Sequence, residues 1–185
     1  TGDVTGDEDV GALVGVNGSS GVVRSCTNRA SVTGNTNSGG IAGCNEGMIR
    51  SCTNLGEVNT GGTDAATNSG GIAGRNTGTV ADCTNHAAVG YAHTGYNTGG
   101  IAGIQNGALL RCFNDGEILG RKDVGGIVGQ FEPYVTLTYG EDPMERLDGA
   151  LASLSTLMTQ LSGQIHSSAG DAVDDISAIH GSLSA

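Results

Sequence analysis

Isolated apolar residues recur along the chain between glycines, asparagines and small polar residues, in three phases of one repeating unit. Leu13, Ile41, Ile72, Ile101 and Ile127 sit inside GGIAG or a near copy of it. Val23, Ile49, Val80 and Leu109 each lie three positions before a cysteine, and Val32, Val58, Val89 and Ile118 lie six after it. The unit is complete in Gly39–Val58, Gly70–Val89 and Gly99–Ile118, looser in Gly11–Val32, and opened again by Val124–Gly129. Such apolar segments are too short for an ordinary sheet. They become stable when each pairs with its equivalent one repeat later, and a fixed period of this length indicates a solenoid. The pattern therefore predicts a mainly β chain: a parallel β-solenoid (β-helix) of about five coils, with about three short strands per coil. Gly2–Gly15 aligns without gaps on Gly116–Gly129, so the first residues read as the tail of an earlier repeat in a longer array.

Two details refine the coil. The apolar residue of the second strand and its cysteine are three apart, the wrong parity for one face of a flat strand. A bend or bulge between them is expected to turn the cysteine back inward. Asn28, Asn54, Asn85 and Asn114, two after each cysteine, are expected to stack at a corner and hydrogen-bond along the array. Glycine, and after it asparagine, is expected to supply positive φ at the corners.

After Tyr139 the pattern changes. Tyr134–Tyr139 reads as a last strand, and Glu141-Asp142-Pro143 as a helix start. Leu147, Leu151, Leu154, Met158, Leu161 and Ile165 then follow a heptad seam, continued with a stutter to Leu183. Gly149, Gly163, Gly170 and Gly181 each weaken a helix by roughly 1 kcal/mol. The reading is a solenoid over 1–139 and a helical hairpin or coiled-coil segment over 140–185, hinged near Gly163–Gly170. Self-association is expected through the 144–183 seam or the open solenoid end.

Composition narrows the function classes. The net charge is −11, with 19 acids against 8 bases, which argues against nucleic acid and anionic lipid. No apolar run is long enough to insert in a membrane. Of the five cysteines, Cys26, Cys52, Cys83 and Cys112 occupy one repeat position and read as an internal ladder of reduced thiols. Stacking places equivalent Cα atoms ~4.8 Å apart, so pairing is sterically open. Cys44 falls at a variable position and is expected on the surface. No paired CxxC ligand set and no catalytic signature is present, so neither metal nor cofactor is expected. Asp7, Glu8 and Asp9 align with Arg121, Lys122 and Asp123, so the coil itself does not require calcium. The connections Asn59–Ser69 and Gly90–Thr98 are longer than the others, and insertions on one solenoid edge are where binding resides. Tyr91, His93 and Tyr96 in the second are the candidate binding residues, suited to a sugar or a partner protein.

The unit G-G-I-A-G-x-N-x-G-x-[IV]-x-x-C-x-N-x-G-x-V resembles the GLUG-type repeat of large bacterial surface proteins. Those include adhesin-like proteins and the non-catalytic regions of some immunoglobulin A peptidases. The likeness covers about two thirds of the chain, Gly2 to Gly129. Departures are the insertion in the looser copy Gly11–Val32, Ala30 and Ala87 in place of glycine, and Phe113 in place of threonine. The resemblance implies an extracellular, cell-surface location and a non-catalytic stalk with a surface for host or bacterial proteins or glycans. It implies no reaction and gives the helical tail no role. The rival reading is an accessory or catalytic β-helix module of a carbohydrate-active enzyme, built from Glu46, Glu57, Asp82, Asp115 and Glu117.

Overall fold

A computed structural model describes residues 2–62, 65–132 and 143–183, and the chain divides into two compact units, Thr1–Val135 and Thr136–Ala185. The first is a parallel β-solenoid of about four turns, so the expected fold class holds. The anticipated five coils become about four because the first and last repeats each supply only part of a turn.

Five ladders run along the solenoid where three were expected. The first stacks Glu8–Gly11, Thr36–Gly39, Thr67–Gly70, Tyr96–Gly99 and Lys122–Gly125. The second stacks Val14–Asn17, Ala42–Asn45, Ala73–Asn76, Ala102–Gln105 and Val128–Phe131. The third holds Val22–Arg24, Met48–Arg50, Thr79–Ala81 and Ala108–Leu110, and the fourth the two-residue rungs from Thr27–Asn28 to Phe113–Asn114. The fifth pairs Asp3–Thr5 with Ser31–Thr33 and continues through single bridges at Val58, Val89 and Ile118. GGIAG is thus a corner between two strands, bent at Gly40 and Ile41, and not one strand.

Register follows the repeat residue for residue: Val23 pairs with Ile49, Ile49 with Val80, and Val80 with Leu109. The apolar phases fill two thin cores. Ile41, Ile49, Ile72, Val80 and Ile101 pack with the cysteine line, while Val10, Val32, Val58 and Val89 form the second cluster. Each fully buried Ile or Val contributes ~1.5–3 kcal/mol relative to exposure. Leu13 and Ile127, the same position in the outermost described turns, are 43% and 41% exposed; among the described residues each stacks on a repeat equivalent on one side only.

The corners use unexpected chemistry. The bend before each cysteine is present as left-handed backbone at Ser25, Ser51, Asp82 and Arg111, with φ of 55°, 53°, 54° and 51°. A second left-handed line, Asp9, Asn37, Asn68, Asn97 and Asp123, interrupts the first ladder like a bulge. The glycines of GGIAG do not serve positive φ. They serve close approach: a Cβ on Gly70 would lie 1.9 Å from the Ala73 carbonyl oxygen.

In the second unit, Pro143–Leu183 is one continuous helix of 41 residues, which corrects the expected hairpin. Glycine lowers helix propensity but keeps its N–H, so Gly163 and Gly170 weaken the helix without breaking it; proline would break it. Ser153, Thr156, Thr159 and Ser177 turn their hydroxyls onto the carbonyl four residues earlier. The seam residues Leu151, Leu154, Met158, Leu161 and Ile165 are exposed. The expected strand Tyr134–Tyr139 lies outside the described residues.

Candidate functional site

The two long connections leave the fifth ladder on neighbouring turns and meet. Tyr91, 49% exposed, lays its ring against Gly62 of the other loop, where a Cβ would come within 3.1 Å of Tyr91 Cδ1. Among the described residues, Gly62, Gly90 and Gly95 are the glycines with positive φ (73°, 80° and 75°), and all three belong to these loops. Only a residue without Cβ adopts that backbone freely. The base is clamped by buried Asn59, whose Oδ1 accepts from Gly34 N (2.8 Å) and whose Nδ2 donates to Ser69 Oγ (2.8 Å). A tight turn follows Tyr91, whose carbonyl accepts from both Thr94 N and Thr94 Oγ1 at 3.3 Å. His93 occupies that turn with φ 63° and is exposed.

Tyr96 is held differently. It is a rung of the first ladder between Thr67 and Lys122, half-buried, with the Arg121 guanidinium 5.8 Å from its ring centroid. That distance suits a cation–π contact. Tyr91 and His93 therefore share the exposed tip, while Tyr96 and Arg121 form its flank.

The expected ladders occupy the interior beside this edge. Asn28, Asn54 and Asn85 each donate Nδ2 to Oδ1 of the next asparagine, at 2.9, 2.7 and 2.7 Å, ending on Asn114. Each also closes a local turn, as Asn54 does on the Gly56 carbonyl at 2.8 Å. Two further amide ladders escaped the sequence reading. Asn17, Asn45, Asn76 and Gln105 form one (2.7, 2.6 and 2.8 Å). Asn97, Asn68, Asn37 and the Asp9 carboxylate form the other, at 2.8, 2.7 and 2.8 Å. Their signal was the asparagine shared by successive repeats, after GGIAG in one case and in TNSG or YNTG in the other. Beyond Gln105 the next rung is Phe131, which leaves Gln105 Nε2 buried without a partner.

Cys26, Cys52, Cys83 and Cys112 are free thiols on one line, Cys52 and Cys83 fully buried and the outer two half-buried. Cys44 corrects the sequence expectation: it is 5% exposed, although its rung partners Val16 and Arg75 are exposed. A short side chain beside the long Arg75 is easily covered. Burial pushes its thiol above the ordinary value, reinforced by the Asp9 charge.

The acids of the enzymatic reading are dispersed among separate partners. Asp82 bridges Arg111 (2.6 and 3.1 Å) and Arg50 (3.3 Å), and Asp115 meets His86 Nδ1 at 2.6 Å. Glu57 accepts from Thr60 Oγ1 at 2.8 Å. Among the described residues no group of three or more His, Cys, Asp or Glu is placed to hold a metal ion. Among them, too, no helix is long and apolar enough to cross a membrane.

Thr77–Thr79, Asn106–Ala108 and exposed Phe131 line a shallow groove of about 470 Å³ between the second and third ladders. A second, of about 340 Å³, shares Gly78 and Thr79 with it and extends along the glycine line to Ser19. Compared with protein-family profiles, curated proteins and solved structures, the chain has no significant match.

Proposed function

We propose that this chain is a non-catalytic segment of a larger bacterial surface protein, a stiff spacer that carries an adhesive edge. The observation that carries the reading is the meeting of the two long loops through Tyr91 and Gly62. Loops that merely connect rungs could be as short as Thr33–Ser38; these two are longer and meet at Tyr91 and Gly62, and the first is clamped at its base by Asn59. A rigid scaffold under preorganised loops presents an aromatic ring at low ordering cost, the arrangement that favours binding to a glycan or a protein. Two interior amide ladders, a third that is half-buried, and in-register apolar cores give the scaffold its stiffness. The GLUG-type resemblance supports an extracellular, cell-surface location, and the acidic surface keeps the array from non-specific contacts. The exposed seam of the helix supports self-association as a further property of the segment.

The test is a glycan-array and mucin-binding screen of the chain beside a form whose Gly90–Thr98 loop is replaced by a short Gly-Ser turn. Binding by the intact chain that disappears with the loop is the expected result. Equal binding by both forms would remove the loops from the site, and binding by neither would reduce the segment to a spacer.

A further inference from the structure

The cysteine line has a property that a purely structural ladder does not need. Each thiol makes the same contact, donating to the carbonyl two residues earlier: Cys26 to Arg24 at 3.2 Å, Cys52 to Arg50 at 3.3 Å, Cys83 to Ala81 at 3.1 Å, Cys112 to Leu110 at 3.5 Å. Identical orientation in every turn puts successive thiols one rung apart, ~4.8 Å. Cys52 N lies 3.4 Å from Cys83 Sγ, which shows directly how close the turns come. That rung spacing falls within the ~4.4–6.8 Å that disulfides span between Cα atoms.

Access is graded along the line. Cys52 and Cys83 are 1% and 0% exposed, whereas Cys26 and Cys112 are half-buried and reachable from solvent. A reagent therefore meets an outer thiol first. The thiol one rung inward from Cys26 is Cys52, and the one inward from Cys112 is Cys83. Cys44 lies on another ladder, under Arg75.

We propose that the four stacked thiols form two redox-active pairs, Cys26 with Cys52 and Cys83 with Cys112, which close by exchange with a small-molecule disulfide and staple neighbouring turns. In the first step the thiolate of the outer cysteine attacks one sulfur of the reagent, forming a mixed disulfide and expelling one thiolate. In the second the inner thiol loses its proton and attacks the protein sulfur of that bond, forming the intramolecular disulfide and expelling the second thiolate. The reagent is reduced to two thiols, which take up the two protons, and two cysteines are oxidised. A Cβ spacing near the rung distance exceeds the ~3.8 Å of a relaxed disulfide. Each staple is therefore strained, and strained disulfides are the readily reduced ones.

The experiment exposes the native, reduced protein to excess oxidised glutathione, unfolds it in acid and then in denaturant containing iodoacetamide so that every remaining thiol is alkylated, and maps the peptides by mass spectrometry. Expected are the links Cys26–Cys52 and Cys83–Cys112, no retained glutathione, and an alkylated, formerly free Cys44. A free Cys44 also reports that the reaction occurred in the folded solenoid. The variant Cys52→Ser is expected to retain one glutathione on Cys26 while Cys83–Cys112 still closes. No oxidation, glutathione retained on the unsubstituted protein, a Cys52–Cys83 link, or bonds between chains would each overturn the proposal.

Discussion

Replacing Asn85 by alanine tests the interior amide ladder where it is most enclosed. The side chain is 0% exposed and makes four hydrogen bonds. Nδ2 donates to Asn114 Oδ1 (2.7 Å) and to the Ala87 carbonyl (2.8 Å). Oδ1 accepts from Asn54 Nδ2 (2.7 Å) and Ala87 N (3.4 Å). At a net ~1 kcal/mol per bond, truncation costs about 4 kcal/mol, and more where a buried partner stays unsatisfied. The end residue Asn114 makes three bonds, is half-buried, and has water to replace what it loses, so Asn114→Ala should cost ~1–2 kcal/mol. Asn85→Asp should be worse than alanine, because a carboxylate cannot donate to Asn114 Oδ1 and would be buried without a counter-charge. Guanidinium unfolding followed by circular dichroism ranks the three variants. Equal costs for Asn85→Ala and Asn114→Ala, or a loss below ~1 kcal/mol at Asn85, would refute the claim that the ladder stabilises the coil.

Gly70→Ala should prevent the solenoid from folding, since the new Cβ would lie 1.9 Å from the Ala73 oxygen. Gly61→Ala, which meets nothing within 4 Å, should stay within about 0.5 kcal/mol; soluble expression and Tm separate the two. The Arg111 guanidinium beside Asp82 holds its carboxyl below the usual range, so the stability this adds is present above the unfolded value of ~3.9 and lost as pH falls through the lower folded one. Asp82→Asn should therefore have a lower Tm than the unsubstituted protein at neutral pH and a flatter Tm profile below pH ~4; parallel profiles would count against it. Gly163→Ala should strengthen the continuous helix by ~1 kcal/mol, read as a higher melting point of its far-ultraviolet signal. An unchanged or lowered melt would favour a hinge there.

The sequence carried the period, the phase and the apolar register, because in a solenoid each residue pairs with its own repeat equivalent. The pairing of Val23, Ile49, Val80 and Leu109 could be read from spacing alone, and so could the bend that parity required before each cysteine. The fourth ladder was harder to see: Thr53–Asn54 is two residues long, with nothing apolar to mark it. GGIAG looked like a strand because its isoleucine is buried, yet the glycines on either side mark a corner where two backbones nearly touch. Ser25, Ser51 and Arg111 at left-handed positions contradict local preference, and stacking in register overrides it. At the candidate edge, the length of the two loops and their aromatics were legible. The contact of Tyr91 with Gly62, and the placing of Tyr96 under Arg121, depend on which turns become neighbours. Cys44 was misplaced because exposure there depends on the arginine in the next rung.

Amide hydrogen exchange along the folded chain is the most direct test of the parallel, in-register solenoid. Ile72, Val80, Thr84 and Val89, which lie in a central turn and donate to or stack on both neighbours, should exchange slowest. Protection should fall toward Val14 and Val128 at either end, and the loop amides of Ala92 and His93 should exchange fastest. Protection concentrated in the outer turns, or fast exchange throughout the central one, would contradict the stacked-coil account.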